Sequence, residues 1–198
     1  MKFLLIILLS PTLFNNTNPT AEQWVIERSS NLCIEGRSNV AGFQCDIVEY
    51  LNIDTLSFYK EDEHQLSLNA KGGLTININK IDCHQKYITS DLRKTLKADK
   101  IPQMKIELVS IGNFSIVGVK DIKGMVVINL AGVTRKMEVN YTVQTDGKNN
   151  IQLLGSREVL FSDFGLKAPS KLAGLIKVED QLKIRFRLVL RLIQHTKL

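Results

Sequence analysis

The chain has 198 residues, 44% of them hydrophobic and 23% charged, with a net charge of +6. That length suits one full-sized domain and is short for two, and the balance excludes a disordered, collagen-like or disulfide-dense chain. Basic residues are spread along the chain without an aromatic-lined cluster, which argues against nucleic-acid binding and leaves at most a weak attraction to anionic membrane surfaces.

The N-terminus predicts the compartment. Met1-Lys2 supplies one positive charge, Phe3 to Leu9 is an unbroken apolar run, and Ser10-Pro11 breaks it before a polar stretch from Asn15 to Thr20. This is the pattern of a secretory signal peptide, here over residues 1–20, with cleavage between about residues 14 and 22. The mature domain, 21–198, is then expected in the periplasm or outside the cell. The apolar run is far below the roughly 20 residues needed to span a bilayer. Cys33, Cys45 and Cys83 permit one disulfide in such a compartment and leave one thiol over, and their spacing fits no zinc motif.

From there the chain reads as strands almost throughout. Lys71-Gly72-Gly73 predicts a turn, followed by Leu74, Ile76 and Ile78 alternating with polar residues. Ser90-Asp91 offers a helix cap, and Leu92 and Leu96 make a short amphipathic helix that ends by Ala98, before Ile101-Pro102. Met104, Ile106 and Leu108 alternate with Lys105 and Glu107, and glycines at 112, 118 and 124 punctuate the middle. Met137, Val139, Tyr141 and Val143 form the next alternating run, and Thr145-Asp146-Gly147-Lys148 predicts a hairpin. A second short turn or helix is expected over Ser170 to Leu175. The last strand, from about Val178 to Leu192, turns Leu182, Ile184, Phe186, Leu188, Leu190 and Leu192 one way. Lys183, Arg185, Arg187 and Arg191 face the other, with Val189 the exception. A period of two means one buried and one wet face. The fold class is therefore all-β and antiparallel, and the length of the last strand favours a closed barrel over a sandwich. The same alternation fits a core filled by side chains and a core occupied by a ligand.

Signatures of catalysis are missing. There is no Gly-rich phosphate loop, no G-x-S-x-G and no H-E-x-x-H. His64, His84 and His195 are scattered, which predicts no metal site. Glu61-Asp62-Glu63 reads as a solvated charge run, and Ser162-Asp163 has no histidine placed to activate the serine. The expectation is a non-enzyme without cofactor. Sequons stand at Asn15, Asn113 and Asn140; in a bacterial protein they carry no meaning.

Several short motifs resemble the YceI-like family of secreted lipid-binding proteins, in order from Trp24 to about Val189. They are Trp24-Val25-Ile26 with Ser29-Ser30, Gly36 to Phe43 (GRSNVAGF), and Asp91-Leu92 with Leu96-Lys97-Ala98-Asp99 and Pro102. Gly124 with Gly132-Val133-Thr134-Arg135 and Phe161-Ser162-Asp163-Phe164-Gly165 with Pro169 complete the set. Histidines common in the family near its first strands and helix have no counterpart, since Ser30 and the Asp91 region stand there.

The resemblance implies an extended, lipocalin-like antiparallel β-barrel with one or two short helices and an internal tunnel for a polyisoprenoid or similar long-chain lipid. Inward residues would line it: Leu74, Ile76, Met104, Ile106, Val126, Ile128, Val139, Tyr141, Ile184, Phe186 and Leu188, joined by Phe43 and Phe164 from the family-like segments. Phe43-Gln44-Cys45 and Ile81-Asp82-Cys83 look like the cysteine-bearing branch of the family, which implies a Cys45–Cys83 disulfide and a free Cys33. The alternative function is a closed-core scaffold that binds another protein through the basic face of Arg185, Arg187 and Arg191. A homodimer is compatible with either.

Overall fold

The computed structural model describes residues 20–47, 53–62, 64–112, 121–145 and 150–197. The expected signal segment lies outside them, apart from Thr20, as do Asn15, Asn113, Gly118 and the Asp146-Gly147-Lys148 turn. The strands, in chain order, are β1 (Thr20–Ile26), β2 (Asn31–Ser38), β3 (Gly42–Ile47), β4 (Thr55–Tyr59), β5 (Ser67–Asn77) and β6 (Ile81–Asp82). After helix α1 (Lys86–Thr95) come β7 (Gln103–Gly112), β8 (Asp121–Leu130), β9 (Val133–Thr145), β10 (Asn150–Leu160), β11 (Ser170–Lys171) and β12 (Ile176–Lys197).

All pairings are antiparallel. The ring β1-β4-β5-β7-β8-β9-β10-β12 closes on itself through β12 and β1, giving an eight-stranded barrel without a free edge in that ring. β12 is the spine. Its 22 residues pair with β10 on one side and, on the other, with β1 along one end and β2 along the other end. β1 and β2 thus behave as one long strand broken at residues 27–30. The Ser30 hydroxyl accepts from the Val189 N–H at 2.9 Å and the Glu27 N–H donates to the Val189 carbonyl at 2.8 Å, so β12 keeps its backbone partners across the break. β3 extends the sheet beyond β2, and β6 beyond β3.

Hydrophobic side chains pack inside as two clusters. One, at the helix end, holds Ile34, Cys45, Ile78, Ile81, Leu92, Phe161 and Phe164; the other holds Trp24, Phe58, Ile111, Ile122, Leu153 and Leu190. Ile106, Ile128, Met137 and Phe186 pack against both.

Two elements differ from the sequence reading. Gly72-Gly73 is no turn between strands. It is a bulge inside β5, where the register against β7 shifts between Asn69 and Gly73. A Cβ on Gly73 would stand 2.1 Å from the Ile106 carbonyl oxygen, so the two backbones approach too closely for a side chain. The helix begins at Lys86, which leaves Ser90 and Asp91 in its interior. Its start is fixed from outside the helix: Cys83 is bonded to Cys45 on β3, and the Cys83 N–H donates to the Thr89 hydroxyl at 2.9 Å. That hydroxyl donates to Asp82 at 3.1 Å, while Arg93 donates twice to the Ile81 carbonyl, at 3.0 and 2.7 Å. These ties replace a side-chain cap, which Gln85 does not supply. The expected turn at Ser170 to Leu175 is β11 followed by a 3-10 turn over Leu172–Gly174.

The Asp82 carboxyl is held below its ordinary value of 3.8, first by the Thr89 hydroxyl and then by the His84 backbone N–H. A carboxylate with a depressed folded pKa adds stability above its unfolded pKa, and that stability is lost as pH falls through the folded value. Asp82→Asn is therefore expected to remove part of the acid limb of the stability profile. Chemical denaturation at pH steps between about 2 and 6 reads this; an unchanged limb would show that Asp82 contributes nothing to it.

Candidate functional site

A cavity of about 80 Å³ lies between the two packed clusters in the middle of the barrel. Its lining comes from every long strand around the barrel: Leu32 on β2, Leu56 on β4, Leu74 on β5, Ile106 and Leu108 on β7, and Val126 and Ile128 on β8. Val139 and Tyr141 on β9, Leu153, Arg157 and Val159 on β10, and Ile184, Phe186 and Leu188 on β12 complete it. Strand alternation turns these side chains inward. Leu74, Ile106, Ile128, Ile184, Phe186 and Leu188 point into the barrel yet are only half-buried, so part of their apolar surface faces open space rather than neighbours. Room for two of the aromatic rings comes from glycines. A Cβ on Gly155 would meet Phe186 Cζ at 2.3 Å, and one on Gly124 would meet Tyr141 Cε2 at 2.7 Å. The two rings meet edge to face, with centroids 5.3 Å apart and planes at 62°. Burial pushes the Tyr141 phenol well above its usual range, so it stays a neutral donor.

The structure brings nine of the sequence-derived residues to this cavity: Leu74, Ile106, Val126, Ile128, Val139, Tyr141, Ile184, Phe186 and Leu188. Ile76 lines a neighbouring space of about 20 Å³ with Leu74 and Leu188. Three stand elsewhere. Phe43 on β3 sits in the part of the sheet beyond β2, its ring over Gly36, and faces two outer grooves. Phe164 is only 2% exposed inside the helix-end cluster, and Met104 packs against that same cluster. Leu32, Leu56, Leu108, Leu153, Arg157 and Val159 line the cavity without having been singled out. Leu32 and Leu153 lie in short alternating runs, Leu32/Ile34 and Ile151/Leu153, that carry the signal weakly.

The model of the YceI-like domain matches residues 38–190, more than three quarters of the chain. The chain belongs to the YceI-like family. No curated protein sequence matches it. Among solved structures, BcnA from Burkholderia cenocepacia superposes with a TM-score of 0.62 at 16% identity, over 81% of this chain and 95% of that one. A polyisoprenoid binding domain from Saccharophagus degradans, implicated in plant cell wall breakdown, gives 0.60 at 12% identity, over 86% and 98%. At these identities the likeness is one of fold.

Elsewhere on this YceI-like barrel, several polar groups engage one another. Of the basic stripe on β12, Arg185 pairs with Glu35, Arg191 with Glu27, and Arg187 donates to Gln152 and to the Ser29 carbonyl. Two of the three arginines thus face carboxylates, while Arg187 meets only neutral acceptors and keeps its charge uncompensated. His84 bonds Asp46 at 2.9 Å, and Ser162 is held by Asp180. No cluster among the described residues has the ligands for a metal ion. Cys33 is a free, half-buried thiol, and burial pushes it up, away from the reactive thiolate. No helix among the described residues is long and apolar enough to cross a membrane.

Proposed function

We propose that the barrel holds a long apolar chain, of polyisoprenoid or similar lipid chemistry, in an exported, non-catalytic protein serving transport, storage or stress protection. The observation that carries this is the central cavity, whose lining is apolar apart from Arg157 and includes several inward side chains that are only half-buried. A chain moved from water to such surroundings gains roughly 0.8 kcal/mol per buried CH₂ before the costs of association, so little polar contact is needed to hold it. The related domain from Saccharophagus degradans, described as polyisoprenoid binding, has the same fold and supports the reading. The N-terminal segment supports export to the periplasm or beyond as part of this reading, and the mild positive charge favours brief contact with anionic membrane surfaces.

The 80 Å³ space is about half the size of the roughly 150 Å³ cavities that take up benzene. A long chain therefore needs the interior side chains to give way. Native mass spectrometry of the gently purified protein, followed by titration with a labelled polyprenyl chain, tests the proposal; absence of both co-purified lipid and uptake defeats it. Ile128→Phe fills the cavity from β8. It is expected to cut chain uptake at least tenfold while the melting temperature moves by no more than a few degrees.

A further inference from the structure

We infer that the barrel wall opens between β9 and β10, and that Arg157 and Tyr141 hold there an oxyanion, phosphate or carboxylate, that terminates the apolar chain. The inference rests on the apolar-chain reading above and adds to it the chemistry of the chain's end.

The opening is visible in the register. β9 and β10 pair from Ile151↔Thr145 to Ser156↔Asn140, and there the ladder stops. Both strands continue. β9 runs on to Val133, paired with β8, and β10 to Leu160, paired with β12. Their backbones have therefore parted from each other while each keeps its other neighbour. The 3-10 turn Ser162–Phe164 packs against both strands at the base of the wedge, where Phe161 and Phe164 are each 2% exposed and close it. What remains open is the stretch beside Arg157.

Arg157 is the first residue of β10 past the last rung. Alternation places it on the inner side with Leu153 and Val159, and it lines the central cavity. It is also the one exposed residue in a lining that is otherwise buried or half-buried, so the cavity reaches solvent at this side chain. Each arginine of the outer β12 stripe has a partner, whereas Arg157 has no hydrogen bond or ion pair among the described residues. Glu158, next in the chain, points to the opposite side. Tyr141 sits directly across from Gly155, one inner-face position from Arg157. Its hydroxyl likewise has no partner among the described residues, although the side chain is buried against the same cavity.

A permanently charged, forked donor where the apolar space meets solvent, with a buried neutral hydroxyl on the same lining, matches one kind of ligand end. A guanidinium binds carboxylate or phosphate through two parallel N–H···O bonds, and its stem covers apolar surface while the head stays wet. A neutral alcohol end would gain only one ordinary hydrogen bond. The apolar tail would occupy the space beyond Phe186, and its head would stay at the wall.

The test compares matched probes on the full chain: geranylgeranyl phosphate against geranylgeraniol, and palmitate against hexadecanol. The wild-type protein is expected to favour at least one anion over its own alcohol by roughly ten- to a hundredfold, the range of charge-assisted hydrogen bonds. Arg157→Gln should erase that preference and leave alcohol affinity within about threefold, Arg157→Lys should keep part of it for phosphate, and Glu158→Gln should change nothing. A phosphate preference assigns a prenyl phosphate, and a carboxylate preference a fatty acid. Equal binding of anion and alcohol, a preference that survives Arg157→Gln, or an equal loss in Glu158→Gln overturns the inference. If no tail binds, charged or neutral, the apolar-chain reading falls and this inference with it.

Discussion

Removing the disulfide with Cys45→Ala/Cys83→Ala is expected to cost about 4 kcal/mol and to lower the melting temperature by roughly 10 °C. The two cysteines are 38 residues apart, and a cross-link closing a loop of that length removes about that much conformational freedom from the unfolded chain. Location adds to the effect. Cys45 and Cys83 are 0% and 3% exposed within the helix-end cluster, and the segment after Cys83 has no side-chain cap of its own. Without the bond, β6 keeps its short pairing with β3, the buried Ile81 side chain, the His84–Asp46 contact and the polar ties through Thr89 and Arg93. Thermal unfolding by circular dichroism, with and without reductant on the wild type, measures the effect. A shift under about 2 °C would mean that packing and these polar ties hold the helix end without the disulfide. Cys33→Ala is the matched control and should be nearly silent, because its thiol forms no disulfide and closes no loop.

The barrel was legible because most of its strands bury one face. β9 and β12 show the period of two most clearly, broken in β12 at Val189, as each contributes inward residues along its length. The bulge at Gly72-Gly73 was not legible as such, since a glycine pair suits a turn and a close backbone approach equally well. The helix start was hidden for a different reason. It is set by a disulfide and by Thr89, partners that local sequence does not advertise, while Ser90-Asp91 mimics a cap. At the site, alternation located the inward apolar residues but not the space between them. That space is a balance of side-chain volumes around a whole ring of strands, which no single strand encodes. Arg157 was overlooked because a charged residue in a strand reads as outward. Only the parting of β9 from β10 makes an inward arginine tolerable, by letting its head reach water.

Phe186→Ala separates a container from a filled core. Phe186 packs against both clusters, lies over Gly155 and meets Tyr141 edge to face, so it stands at the centre of the cavity's wall. Truncating a core phenylalanine costs about 3–5 kcal/mol, and a half-buried ring that already faces open space should fall at the lower end. The variant is expected to melt some 6–12 °C below wild type. Unlike an ordinary core truncation, it should also bind an apolar chain more tightly, because the space it adds continues the cavity. A saturating polyprenyl chain should then return most of the lost stability, as any ligand that binds only the folded state must. Leu190→Ala supplies the contrast: Leu190 is 0% exposed and absent from the cavity lining, so its loss of about 2–5 kcal/mol should not respond to the chain. Equal recovery of the two variants, or none in Phe186→Ala, would mean that the interior is a packed core with a flaw in it. Selective recovery would mean that Phe186 holds a place that a ligand takes.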